Sequence, residues 1–203
     1  TGLTDVTHLG IFTIAAFSNI PNLVLLAPTN KVEYFAMLDW SIEQQEHPVM
    51  ILMPGNGVID DGRVAEKDYS NIINKFKVEE KGSKVAILGL GDFYQIGEEV
   101  SKMVEEKLGF KPTLVNPRFA SSVDKELLND LKQDHDLVIT LEDGILRGGF
   151  GESIASFYGD SDIKVKNYGL EKKFYDRYNP SQLLDELGIT PEKIVKYIES
   201  MMK

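Results

Sequence analysis

Lys84-Val85-Ala86-Ile87-Leu88-Gly89-Leu90 is the stretch on which the fold turns: Gly91 comes directly after it, then Ile96, Val100, Met103, Val104 and Leu108 at helical spacing. An apolar run of this kind has no polar face, so it predicts a strand covered on both sides. The helix after it meets Gly109, a residue free to take the left-handed conformation that stops helices. The same unit then recurs. Pro112 to Asn116 reads as a strand, Leu127, Leu128 and Leu131 mark a helix, and Asp136-Leu137-Val138-Ile139-Thr140-Leu141 is the next strand. Ile154, Phe157 and Tyr158 mark a short helix after a glycine loop, and Ile163 to Val165 a last strand. Two helices close the chain. One is stopped by Gly188, and the other opens with Thr190-Pro191, an N-cap followed by proline at the first helical position.

Strands alternating with single amphipathic helices require right-handed crossovers. The class is therefore α/β, with mostly parallel sheets and helices on both faces. Upstream, Asn22-Leu23-Val24-Leu25-Leu26-Ala27-Pro28 and Val49-Met50-Ile51-Leu52-Met53 read as two more buried strands preceded by loop. Between them lies a helix with Tyr34, Phe35, Met37, Leu38 and Ile42 on one stripe, opened by Asn30 with Glu33 three residues on. Residues 59–82 are polar, and Glu79-Glu80-Lys81-Gly82-Ser83 is the best linker candidate.

At 203 residues the chain is long enough for one to two domains of about 150 residues. Lys and Arg number 22 against 32 Asp and Glu, a net charge of −10, which repels a phosphate backbone and argues against nucleic-acid binding. There is no cysteine, so neither a disulfide framework nor a thiolate metal site or nucleophile exists, and a reducing compartment fits. No apolar run approaches the roughly 18 residues of a membrane helix. The chain opens on Thr1-Gly2-Leu3-Thr4 without a methionine and reads as a fragment.

Local motifs point to little chemistry by themselves. Gly89-Leu90-Gly91 follows a strand, but Tyr94 stands where a dinucleotide fingerprint needs its third glycine, so a strand-to-helix turn is the better reading. Gly148-Gly149-Phe150-Gly151 lacks the lysine and hydroxyl of a phosphate loop and reads as a tight turn, with Glu142 capping backbone donors. His47 and His135 read as surface or capping residues, and no histidine has metal-ligand spacing. Arg118 reads as a salt-bridge residue at a strand end. His8 differs, since its glycine-ended segment lies just upstream of a buried strand, where α/β folds place site loops.

That segment, Thr7-His8-Leu9-Gly10-Ile11-Phe12, resembles the thiamine-diphosphate enzymes of the transketolase superfamily. The resemblance continues in Ile20-Pro21-Asn22-Leu23-Val24, Ala27-Pro28-Thr29 and Val115-Asn116-Pro117-Arg118-Phe119 with Asp124. It extends through Thr140-Leu141-Glu142-Asp143-Gly144 to Gly148-Gly149-Phe150-Gly151, and through Leu184 to Thr190, in one colinear order. It implies that residues 1–78 are part of a pyrimidine-binding domain and residues 83–203 a transketolase C-terminal domain. The implied activity is decarboxylation of pyruvate and ligation of the remaining carbons to an aldehyde. Two alternatives stand beside it: another transketolase-like or 2-oxoacid dehydrogenase β-type component, and a non-catalytic subunit that supplies a dimer interface. Thiamine diphosphate and Mg²⁺ would be bound mainly by regions absent from this chain, leaving the isolated chain inactive, with cofactor-binding residues unassigned and no metal ligands here. The resemblance further implies a homodimer acting on a 2-oxo acid and an aldehyde in the cytoplasm, without membrane or nucleic-acid partners.

Residue by residue, His8 matches the family's histidine beside the reacting carbons, where an imidazole passes protons near neutral pH. Asp5 and Thr7 are the implied substrate-binding residues. Thr4 occupies the family's acid position, so a one-residue shift of the loop would be needed to bring Asp5 into that role. After the second strand the family carries arginines that clamp the acceptor phosphate, whereas this chain reads Leu52-Met53-Pro54-Gly55. Neither Leu nor Met replaces a bidentate guanidinium, so weak activity with glyceraldehyde 3-phosphate is expected.

Overall fold

The computed structural model describes residues 9–55 and 57–202. Its main sheet has five strands: β3 (Lys77–Glu80), β4 (Lys84–Gly89), β5 (Thr113–Asn116), β6 (His135–Ile145) and β7 (Lys164–Leu170). Their spatial order is β3-β5-β4-β6-β7, parallel throughout except for β3, which runs antiparallel to β5 at one edge. A second sheet pairs β1 (Val24–Leu26) with β2 (Val49–Ile51), also in parallel.

Seven α-helices complete the described residues: α1 (Thr13–Phe17), α2 (Lys31–Glu43), α3 (Tyr94–Leu108), α4 (Lys125–Leu131), α5 (Phe150–Phe157), α6 (Pro180–Glu186) and α7 (Pro191–Met201). The pleat alternates side chains between the two faces of the main sheet. Ala86, Leu88, Val115 and Val138 meet α4 and α5 through Leu128, Leu131, Phe150 and Ile154. Val85, Ile87, Leu137 and Ile139 meet α3 and α7 through Val100, Val104, Ile194 and Ile198. Helices therefore cover both faces, as the alternation predicts.

The predicted caps form. Asn30 accepts from Glu33 N at 2.8 Å, Thr190 accepts from Lys193 N at 3.5 Å, and Gly109 ends α3 with φ of 74°. Elsewhere the structure differs from the pattern reading. Residues 13–17, read as loop, form the short helix α1. Strand β2 is only half-buried rather than covered on both faces. On α2 the buried side chains are Glu33, Met37 and Trp40, while Phe35 is 50% and Ile42 74% exposed. That helix is apolar on more than one side, and apolar spacing alone does not say which side faces inward. Glu79 and Glu80, read as linker, lie in β3, and only a short turn separates them from β4. His135 is buried rather than at the surface, with Nε2 2.8 Å from Thr113 Oγ1. Among the described residues no helix is long and apolar enough to cross a membrane.

The two sheets are joined by main-chain bonds. Leu26 and Phe119 form an antiparallel bridge, Ala27 N donates to Arg118 O at 2.8 Å, and Ala120 N donates to Leu25 O at 2.8 Å. Arg118 has a left-handed φ of 63°, and its guanidinium donates to Lys75 O at 3.2 and 2.7 Å. The strand-end arginine thus holds a loop, with Glu66 3.9 Å away.

Candidate functional site

The loops leaving β4 and β6 depart to opposite faces of the main sheet, one to α3 and the other to α5. In parallel sheets this divergence opens a crevice at the carboxyl ends of the strands, the usual place for a ligand. A cavity of about 450 Å³ lies there. Leu90, Gly91 and Asp92 after β4 line it together with Asp143 at the end of β6. The smaller sheet supplies Ala27 and Pro28 after β1, Met50 and Ile51 at the end of β2, and Leu52, Met53, Pro54 and Gly55 after it. Leu9, Gly10, Ile11, Thr13 and Ile14 complete the wall. Every contributing segment lies at or just beyond a strand end, except the N-terminal one laid across the crevice.

Sequence reasoning missed Asp92 and Asp143. Leu90 N donates to Leu141 O at 2.9 Å, which fixes the two strand ends side by side and brings both aspartates to one cavity. Burial, together with the charge of Asp143, pushes the Asp92 carboxyl up to about 7. The signal that finds them is topological: Asp92 lies in the turn after β4 and Asp143 near the end of β6, on the two sides of the switch point.

Glu142, next to Asp143, faces away from this chemistry. It is fully buried and accepts from Phe150 N at 2.9 Å and Gly151 N at 2.8 Å, the first amides of α5. Burial pushes its carboxyl up to about 7, against the pull of the two amide donors. A Cβ on Gly149 would stand 2.5 Å from Glu142 Oε2, and one on Gly151 2.5 Å from Thr140 Oγ1. The glycine run is therefore a close-packed turn around a capping acid, as its composition indicates. Glu33 performs a related task between the sheets, accepting from Thr29 N at 2.8 Å, Thr29 Oγ1 at 2.9 Å and Asn116 Nδ2 at 3.1 Å.

Asp5, Thr7 and His8 lie outside the described residues; the first described residues after them, Leu9 and Gly10, line the cavity. Leu52 and Met53 line it as well, so the position at which the family resemblance implies a phosphate-clamping arginine borders the crevice. The described residues do not fit a magnesium-bound diphosphate. No group of three potential metal-ligating side chains occurs among them, and the charged groups in the described cavity lining are both acids.

Residues 74–194 match the model of the transketolase C-terminal domain. Two curated relatives are named 1-deoxy-D-xylulose-5-phosphate synthase. The one from Shouchella clausii is 30% identical over 205 residues, covering 99% of this chain and 32% of its own. The one from Lachnoclostridium phytofermentans is 32% identical over 195 residues, covering 95% and 31%. The chain thus spans about a third of the length of these relatives. Among solved structures, a split-gene transketolase described as an inactive β4 tetramer superposes with a TM-score of 0.74 at 23% identity, covering 96% of this chain and 62% of that one. A transketolase from Pichia stipitis superposes with a TM-score of 0.71 at 16% identity, covering 98% and 28%. These two likenesses speak to the fold.

Proposed function

The chain belongs to the transketolase C-terminal domain family, and from that premise we propose that it is the C-terminal part of a thiamine-diphosphate-dependent transferase of the 1-deoxy-D-xylulose-5-phosphate synthase type. The whole protein joins carbons from a 2-oxo acid, pyruvate, to an aldehyde. The observation that carries this reading is similarity to those synthases over 95% and more of the chain, together with a cavity into which both sheets converge.

In this reading residues 1–78 are part of a pyrimidine-binding domain and 83–203 a C-terminal domain, with β3 as the strand in which the chain passes from one to the other. Thiamine diphosphate, when bound, supplies the carbanion chemistry, and it is held with Mg²⁺ by segments outside this chain. The chain's own residues bind, orient and shield. His8 hydrogen-bonds substrate oxygens and moves protons, while Asp5 and Thr7 contact substrate. Apolar walls at Leu9, Ile11, Ile14 and Met50 exclude water from the reacting end. The protein acts as a homodimer in the cytoplasm, and the exposed Val32, Phe35 and Ile42 of α2 are available for cover in that assembly.

The test uses the full-length polypeptide with pyruvate, thiamine diphosphate, Mg²⁺ and a panel of aldehydes. Cofactor-dependent release of CO₂ coupled to a ligated product is expected. His8→Ala is expected to lower turnover by about 10²- to 10⁴-fold. Failure to consume pyruvate with every aldehyde would overturn the assignment.

A further inference from the structure

We propose that the outward face of α2 pairs antiparallel with α2 of a second copy of this chain, joining Val32 of each copy to Ile42 of the other. The inference goes beyond the functional reading, since it needs neither cofactor nor substrate. Helix α2 spends Glu33, Met37 and Trp40 on the interior. Its outward side carries Val32, Phe35, Asp39 and Ile42, all exposed, at intervals of three, four and three residues. That spacing is the seam along which one helix packs against another. The other two long helices do not share it. The outward positions of α3 are Glu99, Lys102, Glu105 and Glu106, and those of α7 are Glu192, Lys193, Lys196 and Glu199. Lys31 N donates to Ile59 O at 2.7 Å, which seats the exposed Ile59 at the same end of the strip as Val32.

The ends of the strip decide the occupant. Lys31 stands at one end and Glu43 at the other, both exposed. A second α2 laid parallel would set Lys31 against Lys31 and Glu43 against Glu43, like charge on like charge. Laid antiparallel about a two-fold axis level with Met37, it sets Lys31 against Glu43 at both ends and Val32 against Ile42 just inside them. Phe35 of each copy then meets Asp39 of the other beside the axis, where the positive edge of a ring faces a carboxylate. Lys31 Nζ lies 3.2 Å from Asp60 Oδ2 and, with three donors, has some to spare. A two-fold contact requires one patch to complement itself, residue for residue in both directions. The strip meets that requirement, which an unrelated partner would not impose, so the occupant is a second copy.

The experiment uses the full-length polypeptide. A carbodiimide joins ammonium and carboxylate groups that touch, without a spacer, and the joined peptides are read by mass spectrometry. Within one helix Lys31 and Glu43 are roughly 18 Å apart, so a link between them forms only across two copies. That link is expected, with Lys31–Asp60 as the internal control. In analytical ultracentrifugation Phe35→Glu is expected to weaken association by about 30-fold or more and to halve the mass of the assembly. The Phe35 side chain is half exposed, so the exchange spares folding. Lys31→Glu and Glu43→Lys are each expected to weaken association by about fivefold, and the two together to restore it. Mere damage to the helix would not give that recovery. Absence of the Lys31–Glu43 link overturns the proposal, and so does an unchanged mass in Phe35→Glu. Links from Lys31 or Glu43 to segments outside this chain would mean that the polypeptide covers its own helix, and overturn it as well.

Discussion

The two sheets are built from the same parallel strand-and-helix unit, yet they finish differently. In the five-stranded sheet β4 is buried from Val85 onward, β5 is buried throughout, and helices close both faces. In the two-stranded sheet β1 is buried but β2 is only half-covered, and Val32, Phe35, Ile42, Met53, Ile59 and Val64 are left exposed around it. Two strands bury too little apolar surface to offset the ordering of their backbone. The smaller sheet therefore leans on the larger one through Leu25, Ala27 and the Glu33–Asn116 contact, while the larger sheet carries its own core.

The hardest test of that asymmetry separates the regions. Residues 74–203 produced alone are expected to melt in one cooperative transition followed by circular dichroism, whereas residues 1–73 alone show none. A cooperative transition in the shorter piece would refute the dependence.

A smaller effect is expected at the seam. Glu33→Ala leaves Thr29 N, Thr29 Oγ1 and Asn116 Nδ2 without their shared acceptor in a buried place, and should cost about 2–4 kcal/mol in denaturant titration. If the asymmetry holds, protease cleavage within residues 9–72 should rise more than cleavage within 84–202. Equal loosening of both regions would mean that they unfold as one unit.

The smallest effect lies inside the larger sheet. In the folded chain Glu142 is pushed up to about 7, so between about 4.5 and 7 the native state holds a proton that the unfolded state has released. The stability this proton contributes is present below pH 4.5 and lost as pH rises through 7. Glu142→Gln cannot titrate, so it should flatten the stability–pH profile over that window, a change of about 1–3 kcal/mol read from denaturation at several pH values. An unchanged slope in the variant would assign the dependence elsewhere.

Much of the larger region is legible in the residues themselves. The runs at Val85–Leu90 and Asp136–Leu141 can only be strands covered on both faces, and Gly109 and Thr190-Pro191 mark helix ends by their own backbone preferences. The smaller region is harder to read for the reason it is incomplete. The outward side of α2 is apolar as well, so Phe35 and Ile42 mimic a core stripe while remaining exposed. Glu79 and Glu80 look like linker because an edge strand can be charged on its outer side. Of the candidate site, the segment ending at Gly10 stands out by its place before a buried strand and Leu52-Met53 only through the family resemblance; Leu9, Gly10, Leu52 and Met53 border the cavity. Asp92 and Asp143 escaped notice because they are 51 positions apart in the chain and meet only through the order of strands, which no local window contains.

The joint between the sheets has a consequence for divergence. Its bridge and its two 2.8 Å bonds, Ala27 N to Arg118 O and Ala120 N to Leu25 O, are made wholly by peptide groups. Peptide groups are common to every residue, so drift in the side chains leaves this suture in place. Lineages can exchange most of their amino acids, and with them the charge of the crevice, while the two halves keep their mutual posture. A superposition with a TM-score of 0.74 at 23% identity is what such a joint would conserve.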